Sequence, residues 1–357
     1  MRCEHRRGCK TEIYDYPRSM ALTEAVSTGT NSFMETTFER PFPALTPDER
    51  YHLDVFGYVV VPNVLSAEEC EAIRGALQKL KRDLQSPDAE ARKTPHSPFA
   101  LVNQPHHVFM GSIIEADPAI TAYATHPRLV GMAEELIGGE ARILEFNAHI
   151  NSRNPDDTFD APPQFGFHRG IDVPYGSHTK NGLYHCNFVK TLTNLTDLGP
   201  DDGGTVVIAG SHKLDMPDPD LFACAYGNRS LIHQVIAPAG STLLFSETLI
   251  HATGQIRSDR ERAVIICGYG TRLFPYWDGG KMSPEFEAQI PAHLHTLFFG
   301  KAHWTRGPRY RTLSEPVDAR RFTLADGWSV ARGATESGRI AAKSRKSRKT
   351  ETAKEME

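Results

Sequence analysis

The first third of the chain shows the polar caps and apolar spacing that are typical of short amphipathic helices. A capping box at 46–49 starts one helix, and Gly57 ends it. A second capping box at 66–69 starts a helix with one apolar face. Between the two helices, the β-branched run 58–61 predicts a strand. A further amphipathic helix is predicted over 129–137, where two glycines close it.

The second half changes to the alternation of apolar and polar residues that strands show. Turns rich in Asp, Gly and Pro separate the strand-like runs. These runs are 142–150, 183–195, 204–209, 241–245 and 262–269. Helices that come first and strands that follow predict an α+β fold, a β-barrel or sandwich with the N-terminal helices packed on one sheet.

Composition places the chain among ordinary globular proteins. Of its 357 residues, 39% are hydrophobic and 24% are charged, and the net charge is -4. This balance indicates neither a nucleic-acid nor a membrane partner, and no apolar run reaches the roughly 18 residues of a spanning helix. The N-terminus lacks the apolar stretch of a secretory signal, and the six cysteines are scattered, as suits reduced thiols. We therefore expect a cytoplasmic protein with a small-molecule partner.

Polarity divides the chain into three parts. Residues 1–45 are polar and without periodicity, which predicts a flexible extension. Residues 46–325 hold the helices and strands, and we expect one domain there. Residues 335–357 contain the basic run 343–349, and a disordered charged tail is favoured over a nucleic-acid role.

Two histidines and one arginine stand where a buried site is expected. His168 lies among aromatic residues at a loop edge, and His251 follows an apolar strand 83 residues later, so only tertiary folding brings them together. Arg262 opens an apolar strand, where a guanidinium must pair with an anion or bear a large desolvation cost. A cosubstrate carboxylate could accept two parallel hydrogen bonds from the planar guanidinium. The alternative is a structural ion pair within the protein.

Several segments, in this order along the chain, resemble the phytanoyl-CoA dioxygenase family. The matching features are F-G-Y-V-V-V-P at 56–62, D-G-G-T at 202–205, G-S-H-K at 210–213, the distal His251 and the trailing Arg262. The D-G-G-T and G-S-H-K pair is the most specific of them. The resemblance covers roughly residues 46 to 280.

This resemblance implies a cupin-like double-stranded β-helix, or jelly roll, that uses Fe(II), 2-oxoglutarate and O2. It implies oxidation of a small organic substrate, in most cases by hydroxylation. His168 and His251 would be two iron ligands, and a set of two histidines and one carboxylate leaves one face of the metal open for this chemistry. By its position, Arg262 would bind the far carboxylate of 2-oxoglutarate.

Other polar residues near the matching segments are weaker candidates. Asn147, Thr205 and Ser211 are expected to make polar contacts in the pocket. His212, inside the G-S-H-K segment, is expected to be a structural turn residue and not a ligand.

The first metal motif departs from the family pattern. That motif normally reads His-x-Asp or His-x-Glu, because residues i and i+2 point the same way and both reach one metal. Here Gly170 stands two residues after His168. Three hypotheses stay open: a nearby acid replaces the carboxylate, a halide or water takes its place as in halogenases of this chemistry, or the site is an inactive ligand-binding one. The substitute acids are Asp172, Glu247 and Glu145.

Overall fold

The computed structural model describes residues 44–180, 182–274 and 282–300. The predicted charged tail at 335–357 lies outside the described residues, and so does nearly all of the predicted extension at 1–45. Leu45 is described, and its side chain is buried in the main core, so the folded part includes it. The predicted domain 46–325 is described as far as residue 300.

Eight helices and twelve strands are present in the described part of the chain. The helices are α1 (Pro47–Phe56), α2 (Ala67–Leu84), α3 (Pro118–Ala124), α4 (Pro127–Ile137), α5 (Val173–Gly176), α6 (Asp218–Gly227), α7 (Pro284–Gln289) and α8 (His295–Phe299). The strands are β1 (Tyr58–Val61), β2 (Phe99–Gln104), β3 (His107–Gly111), β4 (Ala141–Asn151), β5 (Ser177–Lys180), β6 (Leu183–Cys186), β7 (Phe188–Asn194), β8 (Val206–Ile208), β9 (Ile232–Gln234), β10 (Thr242–Ser246), β11 (His251–Ala252) and β12 (Arg262–Thr271).

Both predicted capping boxes are confirmed. The Thr46 hydroxyl accepts the Glu49 amide, and the Glu49 carboxylate accepts the Thr46 amide in return. Ser66 and Glu69 repeat the arrangement at the start of α2. Gly57 ends α1 with a φ of 85°, a left-handed conformation that glycine adopts without a steric penalty. The caps therefore fix where α1 and α2 begin and where the chain turns into β1.

The predicted strand 183–195 is wrong in one respect, because it is two strands, β6 and β7, divided at Asn187. The Asn187 amide donates to the Gly176 carbonyl at 2.7 Å, and its side-chain amide donates to the Tyr175 carbonyl at 2.8 Å. These bonds pull the chain out of one sheet and into the next. Alternation of apolar residues does not reveal such a break.

The main sheet has seven antiparallel strands in the order β1-β10-β7-β12-β4-β3-β2. Alternate side chains of a strand face opposite sides of its sheet. On β4, Phe146 and Ile150 share a buried cluster with Leu77 of α2 and Leu129 of α4. The N-terminal helices thus cover one face of the sheet, as predicted.

A second sheet, in the order β11-β8-β9, packs on the opposite face. Leu192 of β7 and Val264 of β12 belong to one buried cluster with Val207 of β8. The two sheets form the layers of the predicted double-stranded β-helix. The space between them is bounded by the face of β4, β7 and β12 that points away from the helices.

None of the helices in the described part of the chain combines the length and the apolarity that crossing a bilayer requires.

Candidate metal centre

The structure brings His168 and His251 together by direct backbone pairing. The His168 amide donates to the His251 carbonyl at 3.0 Å, and the His251 amide donates to the His168 carbonyl at 2.9 Å. The two residues form an isolated antiparallel bridge, and their ring centroids are 4.4 Å apart. Since the side chains of such a pair project from the same side, both imidazoles reach one point.

Each imidazole is oriented by a hydrogen bond to its own backbone segment. Nδ1 of His168 lies 3.0 Å from the Gly166 carbonyl, and Nδ1 of His251 lies 2.9 Å from the Leu249 carbonyl. A carbonyl accepts only, so in the neutral form of each ring Nδ1 carries the proton and Nε2 keeps its lone pair. This is the tautomer that an Nε2 metal ligand needs.

His251 is held in the neutral form by its surroundings. Burial lowers the pKa of its imidazole well below the usual value, and the charges of His168 and Lys190 lower it further. The Phe245 ring packs against it with a centroid distance of 4.6 Å. The Ser211 hydroxyl accepts the Ile250 amide at 2.9 Å and so fixes the backbone next to it.

Glu247 lies beside Gly170, where the family's carboxylate is missing. The Gly170 amide donates to the Glu247 carbonyl at 3.0 Å, in the same two segments that pair the histidines. A β-carbon added to Gly170 would lie 1.8 Å from Oε2 of Glu247. The other carboxylate oxygen, Oε1, lies 4.0 Å from Nε2 of His251. The Glu247 carboxylate therefore fills the space that an acidic side chain at position 170 would need.

A partly buried lysine joins Glu247 to a second carboxylate. Lys190 Nζ lies 3.1 Å from Oε1 of Glu247 and 3.2 Å from Oε2 of Glu145. Asn147 donates its side-chain amide to the other oxygen of Glu145 at 2.6 Å. Burial alone would lower the pKa of the Lys190 ammonium, but the charges of Glu247 and Glu145 outweigh it and raise the pKa. Lys190 is therefore protonated at neutral pH.

Arg262 is a buried cation without a carboxylate partner among the described residues. Arg262 is the first residue of β12, and it is 3% exposed. Nη2 lies 3.4 Å from the Thr205 hydroxyl, whereas Nε and Nη1 have no hydrogen-bond partner in the described part of the chain. Burial lowers its pKa to about 10, so it remains charged at neutral pH. A structural ion pair, the alternative left open by the sequence, is not present within the described ranges.

Two histidines, His107 and His149, are in contact near Arg262, and the sequence does not predict this contact. Nε2 of His107 lies 3.2 Å from Nδ1 of His149, and the Phe109 ring stacks on His149 at 4.0 Å. Burial lowers the pKa of His149 well below its usual value, and the charge of Arg262 adds to the shift. Two histidines 42 residues apart in the sequence do not indicate a contact. The alternation of polar residues along β4 does indicate a polar interior face, which consists of Glu145, Asn147, His149 and Asn151.

The other candidates take separate positions. Asp172 is exposed at the start of α5, where its carbonyl accepts the Gly176 amide at 2.8 Å. Asn147 and Thr205 are buried at the site, beside Glu145 and Arg262 respectively. Ser211 supports the backbone. His212 packs its ring on that of Tyr184, with centroids 4.7 Å apart, which suits the structural position predicted for it.

The residues present fit an iron site after a small adjustment. No three His, Cys, Asp or Glu side chains of the described ranges stand ready around one point. Two ligand atoms at right angles on a metal are about 3 Å apart when each bond is about 2.1 Å. The nearest Glu247 oxygen, Oε1, lies 4.0 Å from Nε2 of His251, so the two side chains must approach by about 1 Å to share a metal. Two imidazoles and one carboxylate are the donor set of non-haem Fe(II) oxygenases.

Comparison with known proteins connects this geometry to one family. A family model described as phytanoyl-CoA dioxygenase matches residues 53–264. Among curated relatives, dioxygenase cdmD of Talaromyces verruculosus is 29% identical over 42% of this chain and 47% of its own length, so the chain matches about half of that protein. L-proline trans-4-hydroxylase of Streptomyces griseoviridis is 22% identical over 64% of this chain and 86% of its own length.

A solved structure has the same fold. HygX from Streptomyces hygroscopicus, crystallised with nickel and 2-oxoglutarate bound, is 22% identical and superposes with a TM-score of 0.51. The match covers 65% of this chain and 90% of HygX. It confirms the predicted fold class.

Proposed function

Because this chain belongs to the phytanoyl-CoA dioxygenase family, we propose that it hydroxylates a small organic substrate with His168 and His251 as iron ligands and Arg262 as the 2-oxoglutarate anchor. The chain is an iron- and 2-oxoglutarate-dependent dioxygenase, as its family is. The residue roles and the hydroxylation are our proposal. The observation that carries it is the buried guanidinium of Arg262, which has no carboxylate partner in the described part of the chain and lies in the barrel that also holds the histidine pair.

Iron(II) with 2-oxoglutarate and O2 supplies the oxidising power needed to attack an unactivated C–H bond. The chain contributes positioned donors. His168 and His251 present Nε2 lone pairs toward one point, because each Nδ1 proton is engaged by a carbonyl two residues upstream. The neutral form of His251 at physiological pH means that no proton competes for the metal position.

Arg262 is suited to a dicarboxylate cosubstrate. A buried guanidinium without an anion bears a desolvation cost of several kcal/mol, which a bound carboxylate offsets through paired N–H···O bonds. The free Nε and Nη1 atoms are the donors available for such pairing, and Thr205 holds Nη2. Arg262 begins β12 and Glu145 pairs with Gly268 on the same strand, so the anchor and the Lys190 cluster lie toward opposite ends of one strand face.

A small substrate suits the interior surface. His149, Phe109 and Asn151 line the same face of the main sheet as Arg262, since Asn151 pairs with Arg262 and His149 with Val264. Flat rings and amide groups bind small polar molecules by stacking and hydrogen bonding. L-proline trans-4-hydroxylase, a relative with 22% identity, acts on such a molecule by its name.

We also propose a cytoplasmic enzyme whose catalytic domain is residues 46–325. The cysteines of the described part are free, and Cys70, Cys186 and Cys267 among them are buried, as expected in a reducing compartment. Every residue assigned to the site falls between 107 and 262. We propose no membrane or nucleic-acid partner.

An anaerobic titration with Fe(II) and 2-oxoglutarate tests the function. The wild-type protein is expected to develop the visible charge-transfer band of iron chelated by a 2-oxo acid, and to form succinate when O2 is admitted. His168→Ala and His251→Ala are expected to lose the band, whereas His178→Ala, on exposed β5, retains it. A wild-type protein without a band, at concentrations where another member of the family shows one, would refute the proposal.

A further inference from the structure

We propose that Glu247 is the third metal ligand, so that the carboxylate missing at Gly170 is supplied by the neighbouring segment of the barrel. This inference rests on the proposed function, since it concerns the same iron site. It makes the site a complete set of two histidines and one carboxylate, with the acid placed four residues before the distal histidine and not two residues after the first.

The Glu247 carboxylate occupies the space that a side chain at position 170 would take. With Glu247 in the position it has here, a β-carbon at position 170 would lie 1.8 Å from its Oε2 atom, so any side chain at 170 would displace the carboxylate. A carbon–carbon bond is about 1.5 Å long. The Glu247 oxygen therefore lies almost where the carboxyl carbon of an aspartate at position 170 would begin. Gly170 leaves room for the Glu247 carboxylate, and Glu247 supplies the carboxylate that Gly170 lacks.

Backbone hydrogen bonds hold Gly170 and Glu247 next to each other. The Gly170 and Ile171 amides both donate to the Glu247 carbonyl, at 3.0 and 3.3 Å. The same two segments carry the His168–His251 bridge. The paired segments 168–171 and 247–251 thus carry both histidines and the acid. A carboxylate at position 170 or at position 247 would lie at the same place in this pairing.

Lys190 positions the Glu247 carboxylate. It holds Oε1 by an ion pair of 3.1 Å, which leaves Oε2 directed into the space beside Gly170. Lys190 is itself held by Glu145, which Asn147 supports. We assign Lys190 as a positioning residue, because it acts on the ligand and not on the metal.

Charge balance favours a divalent cation at this place. Glu145 and Glu247 are both buried, and Lys190 is the one lysine or arginine of the described ranges that pairs with them. A second ionised carboxylate here therefore has no lysine or arginine of its own within the described ranges. Such a charge is costly unless a cation or further hydrogen bonds compensate it. Iron(II) bound by Glu247 and the histidines provides that compensation.

The competing acids are less well placed. Asp172 is exposed at the start of α5, and Glu145 uses one oxygen for Asn147 and the other for Lys190. The halogenase hypothesis needs an empty position beside Gly170, and the Glu247 carboxylate occupies it. This position of Glu247 argues against halogenation.

A double-substitution cycle tests the exchange through metal affinity, measured anaerobically by titration calorimetry with Co(II) or Fe(II) on the full-length protein. Loss of one ligand in Glu247→Ala is expected to weaken binding by about 100-fold or more. Gly170→Asp alone also weakens binding, because its side chain collides with Glu247. The double variant Gly170→Asp/Glu247→Ala is expected to recover affinity to within about tenfold of wild type.

Matched variants and a halide measurement complete the test. Asp172→Ala is expected to bind metal as wild type does, and Glu145→Gln to lose less affinity than Glu247→Ala. Chloride is expected to leave the charge-transfer band of the wild-type protein unchanged and to shift that of Glu247→Ala, where the position is open. The wild-type chloride measurement requires no variant to fold.

Two results would overturn the inference: wild-type metal affinity in Glu247→Ala, or a wild-type band that shifts with chloride. If His168→Ala and His251→Ala lose metal while Glu247→Ala does not, the inference fails and the proposed function stands. If the wild-type protein binds neither Fe(II) nor 2-oxoglutarate, the proposed function fails as well.

Discussion

Nη2 of Arg262 lies 3.4 Å from the Thr205 hydroxyl, while Nε and Nη1 of the same guanidinium have no partner in the described part of the chain. The hydroxyl is neutral and leaves the positive charge unbalanced. A guanidinium buried in this way lowers the stability of a fold, so its presence here indicates an anionic ligand. Stability and ligand binding should therefore respond in opposite directions when the charge is removed.

Replacing Arg262 with an apolar residue of similar length should abolish cosubstrate binding and spare the fold. Arg262→Met is expected to weaken 2-oxoglutarate binding by at least about 30-fold, since breaking a buried charge pair costs about 2–5 kcal/mol. Without 2-oxoglutarate, the unfolding free energy should stay equal or rise by up to about 4 kcal/mol, because an unpaired buried charge is gone. Anaerobic calorimetry and urea unfolding measure the two quantities.

Arg257→Ala is the control for that substitution, because this exposed arginine lies only five residues away. It should change neither quantity appreciably. A strongly destabilised Arg262→Met with unchanged 2-oxoglutarate affinity would mean that Arg262 has a structural partner instead.

Thr205 is expected to make a smaller contribution to the same step. Thr205→Val removes the hydroxyl and keeps the shape, and one hydrogen bond contributes about 0.5–1.5 kcal/mol. We expect 2-oxoglutarate binding to weaken by about 3- to 10-fold, with Thr205→Ser close to wild type. Titration of the charge-transfer band with 2-oxoglutarate gives both constants, and an equal loss in both variants would argue against a role for the hydroxyl.

Sequence patterns sufficed for the features that depend on local contacts. The capping boxes at Thr46 and Ser66 satisfy helix amides within three residues, so short spacing reveals them. His168, His251 and Arg262 were identified by their contexts and by resemblance to a family. The structure then placed the two histidines side by side through one antiparallel bridge.

Contacts between distant segments could not be read from the sequence. Asp172 is four residues from His168 and was a candidate ligand for that reason, but the chain turns into α5 and leaves Asp172 exposed. Glu247 is 77 residues from Gly170 and lies against it, because strand-like pairing joins the two segments. The sequence does not reveal the role of Lys190 either, because both of its carboxylate partners lie in distant segments of the chain.

His212 should make stability depend on pH below neutrality. Burial lowers its pKa to about 4, and Lys213 adds to the shift. The folded pKa is below the unfolded value of about 6.5, so between these limits the unfolded state binds more protons and stability falls as the pH falls. Between pH 7 and pH 5 this residue should cost about 2 kcal/mol, since 1.5 pH units at about 1.4 kcal/mol each lie below the unfolded pKa.

His212→Gln isolates that contribution, because glutamine keeps a donor for the Asp54 carbonyl and does not titrate. Urea unfolding at pH 7 and pH 5 should show a pH dependence smaller by about 2 kcal/mol in the variant than in wild type. Other buried histidines titrate in both proteins, so the difference between them is the relevant quantity. Equal pH dependence in the two proteins would show that His212 does not bear this shift.

The most direct test is diffraction from crystals soaked without O2 in Fe(II), 2-oxoglutarate and chloride. We predict one iron bound by Nε2 of His168, Nε2 of His251 and an oxygen of Glu247, with the far carboxylate of 2-oxoglutarate on Arg262. A chloride on the iron beside Gly170, with Glu247 still paired only to lysine, would contradict the ligand assignment. An absence of metal between the two histidines would contradict the account as a whole.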